Sequence, residues 1–154
     1  MKTFIFILVY PREKGKMKIL CIDEDGDTTL LCRSVFESEN YEFTSINTGK
    51  EGIQLIHDFK YDLVLLDIEN PEFNGKDVIN SLQKENLIGK QPVILFTASS
   101  TNDTEIEEIM VQGVYQCLRK PIKSDVVSSF FKGLTKNNTK QTKILKKWPL
   151  RSEK

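Results

Sequence analysis

The chain is poor in the residues that usually announce special chemistry or a special scaffold. Among its 154 residues there are three cysteines, one histidine and one tryptophan. Cys21, Cys32 and Cys117 are odd in number, widely spaced and form no Cys-x-x-Cys pair. That pattern excludes a disulfide or zinc framework and predicts reduced core thiols in a cytoplasmic protein. The single histidine, His57, reads as a surface or packing residue rather than a catalytic or metal-binding group. Five prolines and eight glycines are too few for a collagen-like or low-complexity chain. Long hydrophobic runs are also missing. The apolar run Phe4 to Tyr10 is too short to span a bilayer, and the charged stretch Pro11 to Lys16 after it lacks a small-residue cleavage site.

Net charge is absent as well, with 22 Lys+Arg against 22 Asp+Glu. The cancellation hides a segregation. Residues 1–131 carry 14 basic and 21 acidic side chains, a net −7, and residues 132–154 carry eight basic and one acidic, a net +7. What is present is otherwise ordinary: 39% hydrophobic and 29% charged residues suit one soluble domain long enough to bury its own core.

From Met17 the hydrophobic pattern alternates between strand and helix. Lys18 to Ile22 is a short apolar strand, and Asp27 to Ser38 carries Leu30, Leu31, Val35 and Phe36 at helical spacing. Glu42 to Asn47 is a weaker strand, followed by a helix with Ile53, Ile56 and Phe59. Leu63-Val64-Leu65-Leu66 is apolar at every position, as in a parallel strand covered on both faces. A helix with Val78, Ile79 and Leu82 follows and ends near Gly89, and the strand Val93 to Phe96 comes next. Asp103 or Thr104 is positioned to cap a helix with Ile106, Ile109 and Met110 that Gly113 ends. Tyr115 to Leu118 is the fifth strand, and Ser124 opens a helix with Val127, Phe130, Phe131 and Leu134. Five βα units predict a doubly wound α/β fold with a five-stranded parallel sheet of flavodoxin-like (βα)5 topology. The expected organisation is an N-terminal extension over 1–16 (alternatively an extra strand), a domain over 17–134, and a basic disordered tail over 135–154.

In such sheets the working site lies beyond the carboxyl ends of the strands. The residues found there are Asp23-Glu24-Asp25 after the first strand, Asp67 after the third, Thr97 after the fourth and Lys120-Pro121 after the fifth. Converging carboxylates repel one another, and a hard divalent cation relieves that repulsion. Lysine brings a compact charge suited to phosphate, and a cis bond at Pro121 would aim it.

In this order and spacing, and with Asp67-Ile68-Glu69-Asn70-Pro71-Glu72-Phe73-Asn74-Gly75 after the third strand, the chain from Met17 to Leu134 resembles the receiver domain of bacterial two-component response regulators. The resemblance implies a regulatory phosphoacceptor rather than an enzyme with an external substrate. Asp67 would be phosphorylated by a sensor histidine kinase or phosphotransfer protein. Asp23, Glu24, Asp67 and the backbone carbonyl of Glu69 would hold Mg²⁺, with Asp25 an alternative to Glu24. Thr97 and Lys120 would contact the phosphoryl oxygens. A downstream protein target and a dimer through the fourth and fifth helices are further partners it implies. The 20 residues after Leu134 are too few for an independently folded DNA-binding module, so none is expected. Several positions depart from the family: Glu24 stands where Asp is usual, Glu69 adds a charge two residues past the acceptor, Asn70 replaces a usual Met, and Cys117 stands where an aromatic ring usually reports phosphorylation. A degenerate receiver that works only as an interaction module is therefore an alternative. A phosphatase of the haloacid-dehalogenase type also uses an Asp after a strand, but it would need a second Asp where Glu69 stands.

Overall fold

In a computed structural model, residues 16–70, 73–88, 91–98 and 100–136 are described. The N-terminal extension up to residue 15 and the tail from residue 137 lie outside this set, as do Pro71, Gly89 and Ser99 and the side chains of Phe130, Phe131 and Leu134. The elements in chain order are β1 (Lys18–Ile22), α1 (Gly26–Ser38), β2 (Glu42–Ile46), α2 (Gly49–Asp58), β3 (Leu63–Asp67), β4 (Glu69–Asn70), β5 (Phe73–Asn74), α3 (Gly75–Lys84), β6 (Val93–Thr97), α4 (Asp103–Met110), β7 (Gln116–Arg119) and α5 (Ser124–Lys136). Five strands form one parallel sheet in the order β2-β1-β3-β6-β7, while β4 and β5 make a two-residue antiparallel ladder. This is the expected doubly wound sheet. Its order reverses between β1 and β3, the crevice where such folds place their ligands.

Successive side chains on a strand point to opposite faces, and the core follows that alternation. Leu20, Ile22, Val64, Leu66, Val93 and Leu95 pack with Ile56 of α2, Val78, Ile79 and Leu82 of α3, and Ile109 of α4. Ile19, Cys21, Leu63, Leu65, Ile94 and Phe96 pack on the other face with Cys32, Val35 and Phe36 of α1 and Val127 of α5. β3 is buried at all five positions, as its unbroken apolar run requires. The edge strands β2 and β7 are only partly buried.

Local details differ from the sequence reading where one residue decides. Asn102, not Asp103 or Thr104, caps α4, accepting from the Glu105 N–H at 2.8 Å. β7 lies one residue later than Tyr115 to Leu118, and α5 runs two residues past Leu134. Leu30 and Phe59, expected on the packed faces of α1 and α2, are 65% and 60% exposed. Phe59 has left the helix, whose last residue is Asp58.

Gln91 ties the end of α2 to the start of β3. Its side-chain oxygen accepts from the Tyr61 N–H at 3.0 Å and its amide donates to the Ile56 carbonyl at 3.1 Å. The residue is buried, so each bond satisfies a main-chain group that water does not reach. Replacing Gln91 by leucine strands both groups and should lower unfolding stability by about 2–3 kcal/mol. A urea titration that shows an unchanged midpoint would contradict this account.

Candidate functional site

Three side chains from three strand ends meet at the carboxyl edge of the sheet. Asp23 follows β1, Asp67 ends β3, and Lys120 follows β7. The Lys120 ammonium lies 2.9 Å from Asp23 Oδ2, 3.4 Å from Asp67 Oδ2 and 3.7 Å from Asp25 Oδ2. Asp23 and Asp67 are both buried, and Asp25 is exposed. The parallel register sets this arrangement, pairing Ile22 with Leu66 and Asp67 with Phe96. The chain reaches Lys120 through a main-chain bond from its N–H to the Thr97 carbonyl at 2.7 Å, and the Lys120–Pro121 peptide is cis.

Each carboxylate is oriented by a nearby main-chain donor. Asp23 Oδ1 accepts from the Asp25 N–H at 2.8 Å, and Asp67 Oδ1 accepts from the Glu69 N–H at 3.0 Å. Asp25 caps α1 instead of joining the pair, with one oxygen taken by the Asp27 N–H at 3.0 Å and the other by the Thr28 hydroxyl at 2.7 Å. Gly75 presses against the acceptor strand. A Cβ there would fall 2.6 Å from Ile68 Cα and 2.9 Å from the Asp67 carbonyl, both main-chain atoms, so only glycine lets α3 start this close to Asp67.

One cation among three carboxylates leaves an excess of negative charge, and the titration behaviour follows. Burial, aided by the charge of Asp67 and opposed by Lys120, pushes Asp23 up to about 6. Burial pulls Lys120 down, but the hydrogen bond and charge of Asp23 outweigh it and raise the ammonium above its ordinary value. The hydrogen bond from Thr28 holds Asp25 below the usual carboxylate range. Burial also pushes Cys32 up to about 12 and Cys21 well above the ordinary thiol value, so both stay protonated. Neither is a nucleophile or a thiolate ligand, in agreement with the sequence reading.

Not every expected site residue joins the cluster. Glu24 is exposed and stands apart from the Asp23–Lys120–Asp67 contacts. Thr97 is fully buried at the end of β6, its hydroxyl donating to the Ala98 carbonyl at 3.0 Å rather than turned to Asp67. Among the described residues, no three His, Cys, Asp or Glu side chains form a ready-made metal cage. The donors that do converge are all oxygens, two of them on buried, under-compensated carboxylates. That set suits Mg²⁺, which is commonly held by one or two carboxylates and completes its shell with water.

Two residues that the motif reading passed over also belong to this edge. The buried Thr101 donates its hydroxyl to the Glu69 carboxylate, and Arg119 donates to the Thr101 carbonyl at 2.7 Å and to Asp103 at 2.6 Å. Arg119 shared the sequence with a more conspicuous neighbour, Lys120, and Thr101 sits in a polar loop with no pattern of its own.

Comparison with known proteins shows the family. Residues 19–131 match the sequence model of the response regulator receiver domain. The response regulator SaeR of Staphylococcus aureus is 31% identical over 103 residues, 67% of this chain and 43% of SaeR. The cell cycle transcriptional regulator CtrA of Caulobacter vibrioides is 28% identical over 109 residues, 71% of this chain and 46% of CtrA. The chain thus spans less than half the length of these curated relatives. Among solved structures, the receiver domain of the Francisella response regulator 1452 superposes with a TM-score of 0.67 at 27% identity, covering 79% of this chain and 98% of that one. No helix among the described residues is long and apolar enough to cross a membrane. A doubly wound sheet, acids and a lysine gathered at its carboxyl edge, and a family match over most of the chain lead to one conclusion: the protein belongs to the response regulator receiver domain family of two-component signalling.

Proposed function

We propose that this chain is a phosphorylation switch in which Asp67 accepts a phosphoryl group from the phosphohistidine of a sensor kinase or phosphotransfer protein. The observation that supports it most directly is the Lys120 ammonium seated between the Asp23 and Asp67 carboxylates. An Asp67 carboxylate oxygen attacks phosphorus in line. A new P–O bond forms as the P–N bond to the donor imidazole breaks, and the imidazole leaves neutral after taking up a proton. Lys120 stabilises charge on the transferring oxygens, and the main-chain N–H of Glu69 keeps Asp67 oriented. Thr97, at the neighbouring strand end, supplies a hydroxyl to the phosphoryl group after turning from the Ala98 carbonyl. Water later attacks phosphorus, the bond to Asp67 breaks, and the carboxylate and inorganic phosphate are regenerated.

Asp23, Asp67 and the Glu69 carbonyl would hold Mg²⁺, which when bound neutralises charge on the phosphoryl oxygens. Glu24, exposed and one methylene longer than the usual Asp, would act through water, and Asp25, which also caps α1, is the alternative to it. In this reading the protein works in the cytoplasm, where its kinase delivers the signal.

Treatment with acetyl phosphate and Mg²⁺ should add about 80 Da, one phosphoryl group, as an acid-labile adduct. Chelation of the metal and the substitution Asp67→Asn should each abolish it. No adduct on the wild-type chain would favour the other reading, a degenerate receiver that acts only by binding partners.

The raised Asp23 predicts a pH effect in metal-free buffer. An acid whose folded pKa exceeds its unfolded value of 3.8 holds its proton more tightly when folded. Stability is therefore highest at low pH with respect to this group, and falls as the pH climbs from about 4 to about 6. Asp23→Asn should flatten that slope and raise stability at pH 7 by about 1–3 kcal/mol. Parallel thermal melts of the two proteins with an equal slope would contradict it.

A further inference from the structure

The residues beyond Asp67 form a polar path that leads to α4 without any aromatic side chain. The Glu69 N–H donates to Asp67 Oδ1 at 3.0 Å. The Glu69 carboxylate accepts from the Thr101 hydroxyl, in the loop between β6 and α4. The Thr101 carbonyl accepts from Arg119 at 2.7 Å, and the same guanidinium pairs with Asp103, the first residue of α4, at 2.6 Å. Thr101 is thus held through both its side chain and its main chain, from β4 and from the end of β7. The site where the family usually carries an aromatic reporter is Cys117, partly buried against the α2–α4 face of the sheet.

We propose that this path carries the charge state of Asp67 to α4: Glu69 and Arg119 clamp Thr101 in the unphosphorylated chain, and a phosphoryl group on Asp67 opens the clamp. The inference rests on the phosphoacceptor reading above and adds the route of regulation. A phosphoryl group brings about 1.5–2 negative charges. It would sit beside the residue whose carboxylate holds Thr101, and like charges drive that carboxylate away. The Glu69–Thr101 bond is charge-assisted, so its loss matters more than that of a neutral bond. Thr101 is 5% exposed, so a hydroxyl released there finds no water unless the loop moves. An unmet buried hydroxyl makes half-opening unfavourable, which gives the loop two states instead of a gradual drift. Arg119 grips both Thr101 and Asp103, so displacement of the loop loosens the first turn of α4 with it. That turn is otherwise held by the Asn102 cap and by the Lys76–Glu105 ion pair at 2.5 Å.

The test uses the full chain with acetyl phosphate and Mg²⁺, with intact mass reporting phosphorylation and amide hydrogen exchange reporting residues 101–110. In the wild-type chain, phosphorylation should speed exchange of these amides roughly tenfold, an ordinary allosteric coupling. In Thr101→Val, nearly the same in shape but with no hydroxyl to strand, exchange should stay slow and be unchanged by the donor, while the mass increment persists. In Arg119→Gln the acceleration should stop at the loop and spare residues 103–106. Cys117→Ala should respond as the wild type does. A wild-type mass increment without any change in α4, or a Thr101→Val chain that responds like the wild type, overturns the clamp alone. Absence of the mass increment overturns the phosphoacceptor reading and the clamp with it.

Discussion

One ammonium facing three carboxylates governs the carboxyl edge of this sheet. Lys120 lies closer to Asp23 than to Asp67 or Asp25, and the charges do not cancel. Two of the acids are buried, where an unbalanced charge is far less well screened than in water. The site therefore favours positive charge. Asp23 is raised mainly by burial, which Lys120 only partly offsets, and Lys120 is raised by the acids around it: one acid reluctant to ionise and one base reluctant to lose its proton.

The scaffold keeps that imbalance from relaxing. β1 and β3 are packed on both faces by helices, so Asp23 and Asp67 leave the sheet from segments with little freedom to shift. Gly75 brings α3 into contact with the main chain of residues 67 and 68, which braces the strand end that carries Asp67. Main-chain donors at Asp25 and Glu69 then fix the carboxylate orientations. The cost of gathering like charges is met by burial of apolar surface elsewhere, the usual division of labour between a core and a functional site.

What was legible in the sequence reflects where local pattern and tertiary structure agree. The unbroken apolar run of β3 could be read directly, because a strand covered on both faces has no polar position to spare. The strand-end residues followed from topology, since a parallel sheet collects them at one edge. Where side-chain direction decides, the pattern was silent. Glu24 and Asp23 are adjacent and chemically alike, yet one is exposed and the other buried. The α4 cap passed to Asn102 because three successive residues were competent and only the helix geometry selects among them. The roles of Arg119 and Thr101 depend on the pairing of β6 with β7, which sets Thr97 opposite Arg119, and no local motif encodes such a pairing.

The buried cysteines have a consequence of a different kind. Cys21 in β1 and Cys32 in α1 lie fully buried on the same face of the sheet, held as thiols by their surroundings. A thiol reagent reaches them only when that layer parts. The chain thus contains an internal clock for its own opening: beside the partly buried Cys117, the labelling rate of these two sulfurs records how often that layer parts, with no residue changed.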